Sequence, residues 1–313
     1  MKALFTMSFS EDEFKSLGDL GYEIIFEDEK DFSLSEEMKD AEVLVCFNPF
    51  EKLQLADFPK LKWIQLLSAG VNHAPAEEIL EKNILLTNNR GGYSIPIAEW
   101  IVLKALEMIN NSKEFYEKQN ERLWEMDNSL RELHGKTIGF IGTGDIAQEA
   151  AKRLDAFGVK ILGISATGKP ANHFHETYPI DKIKEIVAKC DFLVVAAPYT
   201  EQTHHLVDEE VLSSMKDGVY LINIARGSII DEKVMIEYLR SGKIKKAALD
   251  VFEIEPLPVD NPLWEMDNVI VSPHNCWGSE MTHQRRFEIA HKNMKKYINN
   301  EELVNVIDLN KGY

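Results

Sequence analysis

The chain has 313 residues, of which 44% are hydrophobic and 28% are charged, a balance typical of a soluble globular protein with two domains. Its 35 basic and 52 acidic residues give a formal charge of −17, which argues against nucleic acid or an anionic membrane as a partner. The sequence contains neither a signal peptide nor a membrane-spanning run, and Cys46, Cys190 and Cys276 lack CxxC spacing. We therefore expect a cytoplasmic protein without disulfide bonds.

Short apolar runs alternate with helix-like segments along the chain, and this alternation predicts an α/β protein with parallel sheets. The strand candidates of the first part are KALFTM, YEIIF, AEVLVCF, LKWIQLL and ILLTNN. One long helix is predicted over SIPIAEWIVLKALEMINNSKEF, with Pro96 in its first turn. These elements suffice for a complete small sheet followed by a helix.

A second series of predicted strands follows: KTIGFIG, VKILGIS, DFLVVAA, GVYLINIA, AALDVF and NVIVSPH. Their nearly continuous apolar character is typical of strands that are covered on both faces. After them, Phe287, Ala290, Met294 and Ile298 fall at helical spacing, which predicts a final helix. The predicted organisation is a dinucleotide-binding domain, residues 100–287, inserted into a substrate domain made of residues 1–99 and 288–313.

The segment TIGFIGTGDIAQEAAKRL places Gly142, Gly144 and Ala147 in a G-x-G-x-x-A pattern between a predicted strand and a helix. Gly142 permits the tight turn, Gly144 lets the backbone approach a pyrophosphate, and Ala147 keeps the helix close to the strand. The helix N-terminus supplies N–H donors for the phosphates. A tight turn without a ligand is the alternative, but the strand–turn–helix context favours a dinucleotide site. The first helical residues, Asp145 and Ile146, are included in that predicted site.

Three further segments end predicted strands with reactive side chains: NIARGS carries Arg226, DVFEIEP carries Asp250 and Glu255, and SPHNCW carries His274. Open α/β sheets bind ligands at the carboxyl ends of their strands, so we expect these side chains at one edge of a sheet. An arginine, a carboxylate and a histidine are the parts needed for acid–base chemistry on an anionic substrate. Taken singly, each has a structural explanation: a surface ion pair, a helix-capping charge or a satisfied histidine.

These motifs, in this order, resemble the D-isomer-specific 2-hydroxyacid dehydrogenases over nearly the whole chain. The resemblance implies two Rossmann-like or flavodoxin-like domains with parallel sheets. It also implies reduction of a 2-oxo acid to a D-2-hydroxy acid by hydride from a nicotinamide cofactor, in an enzyme that forms a homodimer. His274 is then the proton donor, Glu255 its carboxylate partner and Arg226 the substrate anchor, and Asp250 lies near the nicotinamide amide.

The early segment LLSAGVNH is similar to the family's loop for the substrate carboxylate, in which Ala69, Gly70 and Val71 offer backbone N–H groups. The acidic residue that usually follows this loop is replaced here by Asn72. In the segment TNNRGGYSIPIAEW, Arg90 is interpreted either as a substrate contact or as a partner in a hinge ion pair.

The strand after the glycine turn ends in GISATGK, where an NAD-specific enzyme carries an acidic residue for the ribose 2′-hydroxyl. Ser165 stands there instead, and with Thr167 and Lys169 it offers hydroxyl donors and a positive charge to a 2′-phosphate. We therefore predict NADP as the preferred cofactor, with NAD as the alternative if this loop is merely solvated. Pro198 and Ala225, each of which follows a further strand, complete the predicted cofactor contacts.

Two other functions stay open on the sequence alone. One is phosphoglycerate dehydrogenase activity in a form without a regulatory domain, because we expect no room for such a domain in a chain that ends in NVIDLNKGY. The other is a dinucleotide-sensing binding protein. The histidines His173, His175, His204 and His205 lack ligands in a recognised spacing, so no metal site is predicted. No motif identifies which 2-oxo acid is the substrate.

Overall fold

The computed structural model describes residues 1–309, and these form two compact units. Unit 1 contains residues 1–93 and the segment from residue 279 onward, and unit 2 contains residues 94–278. Unit 2 is therefore one continuous stretch of chain inserted between the two segments of unit 1.

Strands and α-helices follow one another along residues 1–309, and short 3₁₀ helices occupy several of the connections. The strands are β1 (Lys2–Phe5), β2 (Glu23–Phe26), β3 (Val43–Cys46), β4 (Trp63–Leu66), β5 (Leu85–Thr87), β6 (Thr137–Ile141), β7 (Lys160–Ser165), β8 (Glu176–Pro179), β9 (Phe192–Val195), β10 (Val219–Asn223), β11 (Ile244–Leu249) and β12 (Val269–Val271). The helices are α1 (Glu11–Asp19), α2 (Ala76–Glu81), α3 (Ser94–Ile109), α4 (Ser112–Glu121), α5 (Asp145–Leu154), α6 (Ile183–Val187), α7 (Glu209–Ser214), α8 (Glu232–Ser241) and α9 (Thr282–Ile298).

Unit 1 is built on a five-stranded parallel sheet with the order β2-β1-β3-β4-β5. This is the flavodoxin-like strand order, and all five strands predicted for the first part of the chain are present. Every residue of β3 is buried, which explains why this strand reads as an unbroken apolar run. The sheet thus confirms the predicted parallel α/β architecture.

The last helix, α9, supplies part of the core of unit 1. Ala290 and Met294 are 1% and 0% exposed in a cluster that includes Phe5 and Trp63. Phe287 and Ile298 pack against the same cluster. The four apolar residues at helical spacing therefore face the β-sheet core, as an amphipathic helix requires.

Unit 2 is built on a seven-stranded parallel sheet with the order β12-β11-β10-β9-β6-β7-β8. This is the Rossmann-like order, in which β6 pairs with both β7 and β9 and the chain changes direction across the sheet. The six strands predicted from the second series are present. The edge strand β8 was not predicted from its sequence, ETYP.

The long helix predicted after Pro96 is two helices, α3 and α4. Asn111 separates them in the left-handed region, with a φ of 50°. Its side-chain amide donates to Asp127 at 2.6 Å, and Lys246 donates to the Asn111 side-chain carbonyl at 2.7 Å. These hydrogen bonds, of which the one from Lys246 is buried, compensate for the strained backbone, and the chain turns there instead of continuing as one helix.

The junctions between the units differ from the predicted domain boundaries. They lie at 93/94 and 278/279, whereas the sequence placed them at 99/100 and 287/288. The whole of α3 belongs to unit 2, because α3 packs against α5 along its length, and the whole of α9 belongs to the core of unit 1. Residues 310–313 of the predicted segment 288–313 lie outside the described residues.

Candidate active site

The glycine turn lies at the point where the strand order of unit 2 reverses. Gly142 follows β6 with a φ of 101°, and a Cβ there would lie 2.7 Å from the backbone of Ala196. Gly144 caps α5 in an extended conformation, and a Cβ there would meet open space. Ala147 is 0% exposed against the sheet. The three positions therefore have the properties that a dinucleotide turn requires: a forced bend, an approachable backbone and a close helix.

The predicted ribose-binding strand end forms a compact turn. Gly168, with a φ of 65°, donates its N–H to Ser165 Oγ at 3.1 Å. Thr177, in β8, donates its hydroxyl to the carbonyl of Gly168 at 3.0 Å, so the unpredicted strand supports this turn. Thr167 and Lys169 are exposed. Ser165 Oγ accepts one hydrogen bond within the turn, while its own hydrogen remains a possible donor to a ligand.

A histidine–glutamate pair lies at the carboxyl edge of the same sheet. His274 Nδ1 lies 2.8 Å from Glu255 Oε2, and Glu255 Oε1 accepts the N–H of Phe252 at 2.9 Å. Because an ionised carboxylate only accepts hydrogen bonds, Nδ1 carries the shared hydrogen and Nε2 faces the other way on the ring. Both side chains keep access to solvent, at 40% and 34% exposure, so a ligand can reach the pair.

Electrostatics favour the ionised form of Glu255. Burial opposes its charge, but the hydrogen bonds from His274 and from the Phe252 N–H, together with the positive charges of His274 and Arg226, lower the pKa of Glu255 below its usual value. The carboxylate beside the histidine is therefore charged near neutral pH.

Arg226 lies three residues after the end of β10 and is partly buried. Its Nη1 donates to the Ala225 carbonyl at 2.7 Å. Burial lowers the pKa of Arg226, and the neighbouring Glu255 carboxylate opposes that shift. An arginine stays charged over the physiological range, so a cation is held close to the histidine–glutamate pair.

The remaining predicted cofactor residues of unit 2 also follow strands at this edge. Pro198, after β9, is exposed, and its carbonyl accepts a hydrogen bond from Thr203 at 2.9 Å. Ala225 is 7% exposed, and its N–H donates to Asn223 Oδ1 at 3.1 Å. Asp250, after β11, is 0% exposed, and its carboxylate accepts hydrogen bonds from the turn that carries His274.

The predicted carboxylate loop of unit 1 follows β4. Within residues 1–309 the N–H groups of Ala69, Gly70 and Val71 donate to no acceptor, and the three residues are half-buried. The carbonyls of this loop are held: Asn88 donates to Ala69 at 2.6 Å, and Ser68 Oγ donates to Gly70 at 2.8 Å. A fixed backbone with available donors is the arrangement that binds a carboxylate.

Arg90 is exposed and lies in the segment after β5. Its backbone carbonyl accepts a hydrogen bond from Asn305 at 2.8 Å, and its N–H donates to Asn88 at 3.2 Å. These contacts fix the backbone of Arg90 next to the residue that holds the carboxylate loop.

Two residues that support the carboxylate loop escaped sequence analysis, Tyr93 and Arg286. Arg286 is only 6% exposed, and its Nε donates to the Tyr93 hydroxyl at 2.7 Å. That hydroxyl donates to the carbonyl of Leu67, next to the loop. A charged residue is normally expected on the outer face of a helix. The signal that could have revealed Arg286 is its spacing of four residues from Ala290, which places both on one face of α9.

His204 and His205, outside the site, have local partners. His205 Nε2 lies 2.7 Å from Glu253, and the His204 ring stacks on His205 with centroids 4.1 Å apart. Among the described residues, no group of three or more His, Cys, Asp or Glu side chains is arranged to hold a metal ion. Over that same part of the chain, no helix combines the length and hydropathy needed to cross a bilayer.

A glycine turn at the reversal of a Rossmann-like sheet, with an arginine, a glutamate and a histidine on the same edge, defines the class of dinucleotide-dependent oxidoreductases. Residues 102–276 match the family described as D-isomer specific 2-hydroxyacid dehydrogenase, NAD binding domain. The chain belongs to this family and is an NAD(P)-dependent dehydrogenase of that class. The matched range lies within unit 2, which identifies unit 2 with the family's cofactor-binding domain.

Relatives extend the similarity beyond unit 2. The chain is 34% identical over 313 residues to a D-3-phosphoglycerate dehydrogenase of Methanocaldococcus jannaschii, covering 99% of this chain but 60% of that longer protein. It is 32% identical over 285 residues to a glyoxylate reductase of Thermofilum pendens, covering 87% and 84% of the two chains. The crystal structure of a D-isomer specific 2-hydroxyacid dehydrogenase from Xanthobacter autotrophicus Py2, in complex with NADPH and MES, matches with a TM-score of 0.86 and 27% identity over 100% of this chain and 99% of that one.

Proposed function

We propose that the enzyme reduces a small 2-oxo acid to the D-2-hydroxy acid, with hydride from the nicotinamide and a proton from His274. The observation that carries the proposal is the 2.8 Å contact between His274 Nδ1 and Glu255 Oε2 at the carboxyl edge of the cofactor-binding sheet. Reduction of a ketone needs one hydride at carbon and one proton at oxygen. Imidazole can deliver that proton near neutral pH.

Within the pair, each group has a separate task. The Glu255 carboxylate holds Nδ1–H, so the proton that leaves the ring comes from Nε2. The charge of Glu255 stabilises the protonated ring before transfer. In the reverse direction the neutral ring takes the hydroxyl proton back through the same nitrogen. The cofactor, when bound, supplies or accepts the hydride, and the residues of the pair manage only the proton.

We assign Arg226 to the substrate carboxylate and carbonyl oxygen, because a guanidinium binds two oxygens in a fixed geometry. The N–H groups of Ala69, Gly70 and Val71 are assigned to the carboxylate, and their lack of other acceptors within residues 1–309 supports this role. Arg90, which is exposed beside that loop, is assigned to the same anion.

The test is a substrate panel followed by nicotinamide absorbance, using glyoxylate, hydroxypyruvate, pyruvate and phenylpyruvate with NADPH and with NADH. We expect turnover with at least one of these acids, and a loss of about 10²–10⁴-fold in kcat for His274→Gln, the range expected for a lost general acid. Cofactor binding should be retained in His274→Gln. A variant with undiminished kcat would show that the proton comes from another group.

A second candidate activity is oxidation of 3-phosphoglycerate. It is favoured by the 34% identity to the D-3-phosphoglycerate dehydrogenase, although the chain spans 60% of that protein's length. Adding 3-phosphohydroxypyruvate to the panel decides it, because this acid differs from hydroxypyruvate only by a phosphate. A preference for the phosphorylated acid in kcat/KM would favour this activity.

We propose NADP as the preferred cofactor, with NAD as the alternative. Support comes from Ser165 at the end of β7, where an aspartate would repel a 2′-phosphate, and from the exposed Thr167 and Lys169 that follow it. The wild-type enzyme should show a higher kcat/KM with NADPH than with NADH, and Ser165→Asp should reverse that order. A wild-type preference for NADH at low and moderate salt would contradict the proposal.

We also propose that the functional partner is a second copy of the chain. The support is the segment after α4, in which Trp124 is 99% exposed and Met126 is 86% exposed. Monomeric proteins seldom leave neighbouring large apolar side chains fully in water. Burial against an identical segment would remove both side chains from solvent.

A further inference from the structure

The sheet of unit 1 changes direction between β1 and β3. In the order β2-β1-β3-β4-β5 these two strands are parallel neighbours, but the chain leaves β1 toward β2 on one side and returns as β3 on the other. Open α/β sheets bind ligands outside the carboxyl ends of the strands at such a point. The strand order alone therefore predicts a ligand position in unit 1, beyond the ends of β1 and β3.

One buried arginine, Arg286, reaches this position from α9. Its guanidinium carbon lies 5.6 Å from the centre of the ring of Phe47, which directly follows β3. Its Nη1 lies 4.0 Å from Sδ of Met7, two residues after the end of β1. The side chain thus contacts the segments that follow both strands, and its positive charge lies where the sheet changes direction.

The orientation of Arg286 is fixed from the side of the carboxylate loop. Its Nε donates to the Tyr93 hydroxyl at 2.7 Å, and its guanidinium carbon lies 5.1 Å from the centre of the Tyr93 ring. The same hydroxyl donates to the carbonyl of Leu67, two residues before Ala69. Because Nε is held toward the loop, the Nη1 side of the guanidinium is turned toward the segment after β1.

The guanidinium of Arg286 has little water around it. Arg286 is 6% exposed, whereas the Phe47 side chain against it is 37% exposed, so solvent reaches this contact at the aromatic ring. Burial of a charge away from water is unfavourable, and an anion that binds the charge offsets part of that cost. A cation in such surroundings attracts an anion more strongly than a hydrated one does.

A carboxylate at the same edge of the sheet has a different task. Glu29 Oε2 accepts the Thr6 hydroxyl at 3.0 Å and the N–H groups of Phe47 and Asn48 at 3.2 and 3.0 Å. Three donors on one oxygen disperse its charge and fix the backbone that carries the Phe47 ring. A role for Arg286 as a counter-charge to Glu29 is the structural alternative, and it predicts no preference among substrates.

We propose that Arg286 binds a second anionic group of the substrate, so that the 2-oxo acid carries a carboxylate or a phosphate on its side chain. This rests on the proposed reduction of a 2-oxo acid, whose own carboxylate is assigned to the N–H groups of Ala69, Gly70 and Val71. A guanidinium offers paired N–H groups in a geometry that fits both kinds of anion. Exposed side chains change rotamer rapidly, so the Phe47 ring can turn aside to admit the ligand.

Three pairs of acids test the proposal, because the members of each pair differ by one anionic group. They are oxaloacetate and 2-oxobutanoate, 2-oxoglutarate and 2-oxopentanoate, and 3-phosphohydroxypyruvate and hydroxypyruvate. Binding is measured by calorimetry on the enzyme with oxidised cofactor, which has no hydride to give, and kcat/KM is measured with reduced cofactor. The member with the second anion should bind at least about tenfold more tightly in at least one pair. The pair that shows this preference distinguishes a carboxylate from a phosphate.

Arg286→Met keeps an unbranched side chain and removes the charge. We expect the preference within that pair to fall at least about tenfold, while the acid without the second anion binds within about threefold of its wild-type dissociation constant. Arg286→Lys should retain part of the preference, and it serves as the test variant if Arg286→Met fails to fold. Arg285→Met is the matched control, because it removes the same charge roughly 100° further round α9, and the preference should not change.

Two results would overturn the proposal. One is a wild-type enzyme without preference for the second anion in any of the three pairs. The other is equal weakening of both members of a pair in the Arg286 variants, which would leave Arg286 as a counter-charge to Glu29. Calorimetry separates this proposal from the reaction itself: if the preference is present and is lost in Arg286→Met while no acid is reduced, the anion site holds and the proposed reduction fails.

Discussion

The guanidinium of Arg226 is positively charged although its burial disfavours the charged form. Burial lowers the pKa of the guanidinium, and the nearby Glu255 carboxylate partly restores it. A cation that is desolvated before substrate arrives binds an anion more strongly than a hydrated one, because less water must be displaced. In a chain with a formal charge of −17, such a local cation is needed to attract a carboxylate at all.

For this reason we expect Arg226→Ala to lower kcat/KM by about 10²–10³-fold, the loss seen when a preorganised donor to a reacting oxygen is removed. Arg226→Lys should recover only part of the rate, because a point charge cannot reproduce the two-oxygen geometry. Steady-state kinetics on the best 2-oxo acid measure both effects. Wild-type kinetics in both variants would remove Arg226 from the substrate site.

The pH dependence of reduction tests the pairing of Glu255 with His274. The pKa of Glu255 is lowered, so its carboxylate stays charged throughout the range above its usual value of 4.5 and loses its charge only as the pH falls through the lowered pKa. A protonated Glu255 offers the histidine no negative charge, so the kcat of reduction should fall on the acidic side. Glutamine has no such ionisation, so in Glu255→Gln we expect a lower kcat at neutral pH and no acidic limb from this position. A kcat at neutral pH that matches wild type, with a solvent isotope effect showing that proton transfer limits the rate, would make Glu255 purely structural.

At this scale the sequence predicts candidate reacting side chains but not the residues that hold them in place. Arg226, Glu255 and His274 were predicted because each stands just beyond an apolar run, and strand ends in open sheets converge. The direction in which Asp250 turns its carboxylate depends on the fold of residues 272–276, which no spacing rule describes. Tyr93 and Arg286 were missed for a related reason: their contact spans 193 positions in the chain.

Among the secondary-structure elements, strands with full burial were predicted best. Every residue of β9 and β10 is buried, so both strands form apolar runs that can be recognised in the sequence without knowledge of the adjoining strands. The edge strand β8 has exposed and half-buried residues only, and its sequence, ETYP, carries little strand signal. The break at Asn111 was invisible for a different reason, because the residues that stabilise it, Asp127 and Lys246, are distant in sequence.

Two glycines between β6 and α5, Gly142 and Gly144, allow the same substitution to be compared at a crowded and at an open position. Gly142→Ala forces a methyl group to within 2.7 Å of the Ala196 backbone at a φ of 101°, so we expect a loss of about 1–3 kcal/mol in the free energy of unfolding. Gly144→Ala places its methyl in open space, and stability should change by less than about 1 kcal/mol. Denaturant unfolding measures both.

Cofactor titration completes that comparison. The glycine pattern predicts that a pyrophosphate approaches the backbone through the open space beside Gly144. On that prediction, Gly144→Ala should weaken NADPH binding at least about tenfold although the protein stays folded. Unchanged affinity in a folded Gly144→Ala enzyme would place the cofactor phosphates elsewhere. If Gly142→Ala and Gly144→Ala were equally stable, a clash with the Ala196 backbone would not be the reason for glycine at position 142.

For the whole molecule, charge and exposed apolar surface act in opposite directions on self-association. Two chains with a formal charge of −17 each repel one another at low ionic strength. An attractive surface must therefore be largely apolar, and the segment with Trp124 and Met126 provides one. Salt screens repulsion between exposed charges but scarcely affects burial of an indole ring. A homodimer of this kind should become tighter as salt is added.

Sedimentation velocity over a range of protein and salt concentrations measures this association. Trp124→Asp should raise the dimer dissociation constant at least about thirtyfold, which corresponds to the loss of about 2 kcal/mol or more for a central aromatic residue. Val259→Asp is the matched control, because Val259 is 96% exposed in the same unit and outside that segment, and the same charge added there should leave the dissociation constant nearly unchanged. Equal effects of the two substitutions would indicate general charge repulsion. A wild-type chain that stays monomeric at high salt and high concentration would rule out the second copy as its partner.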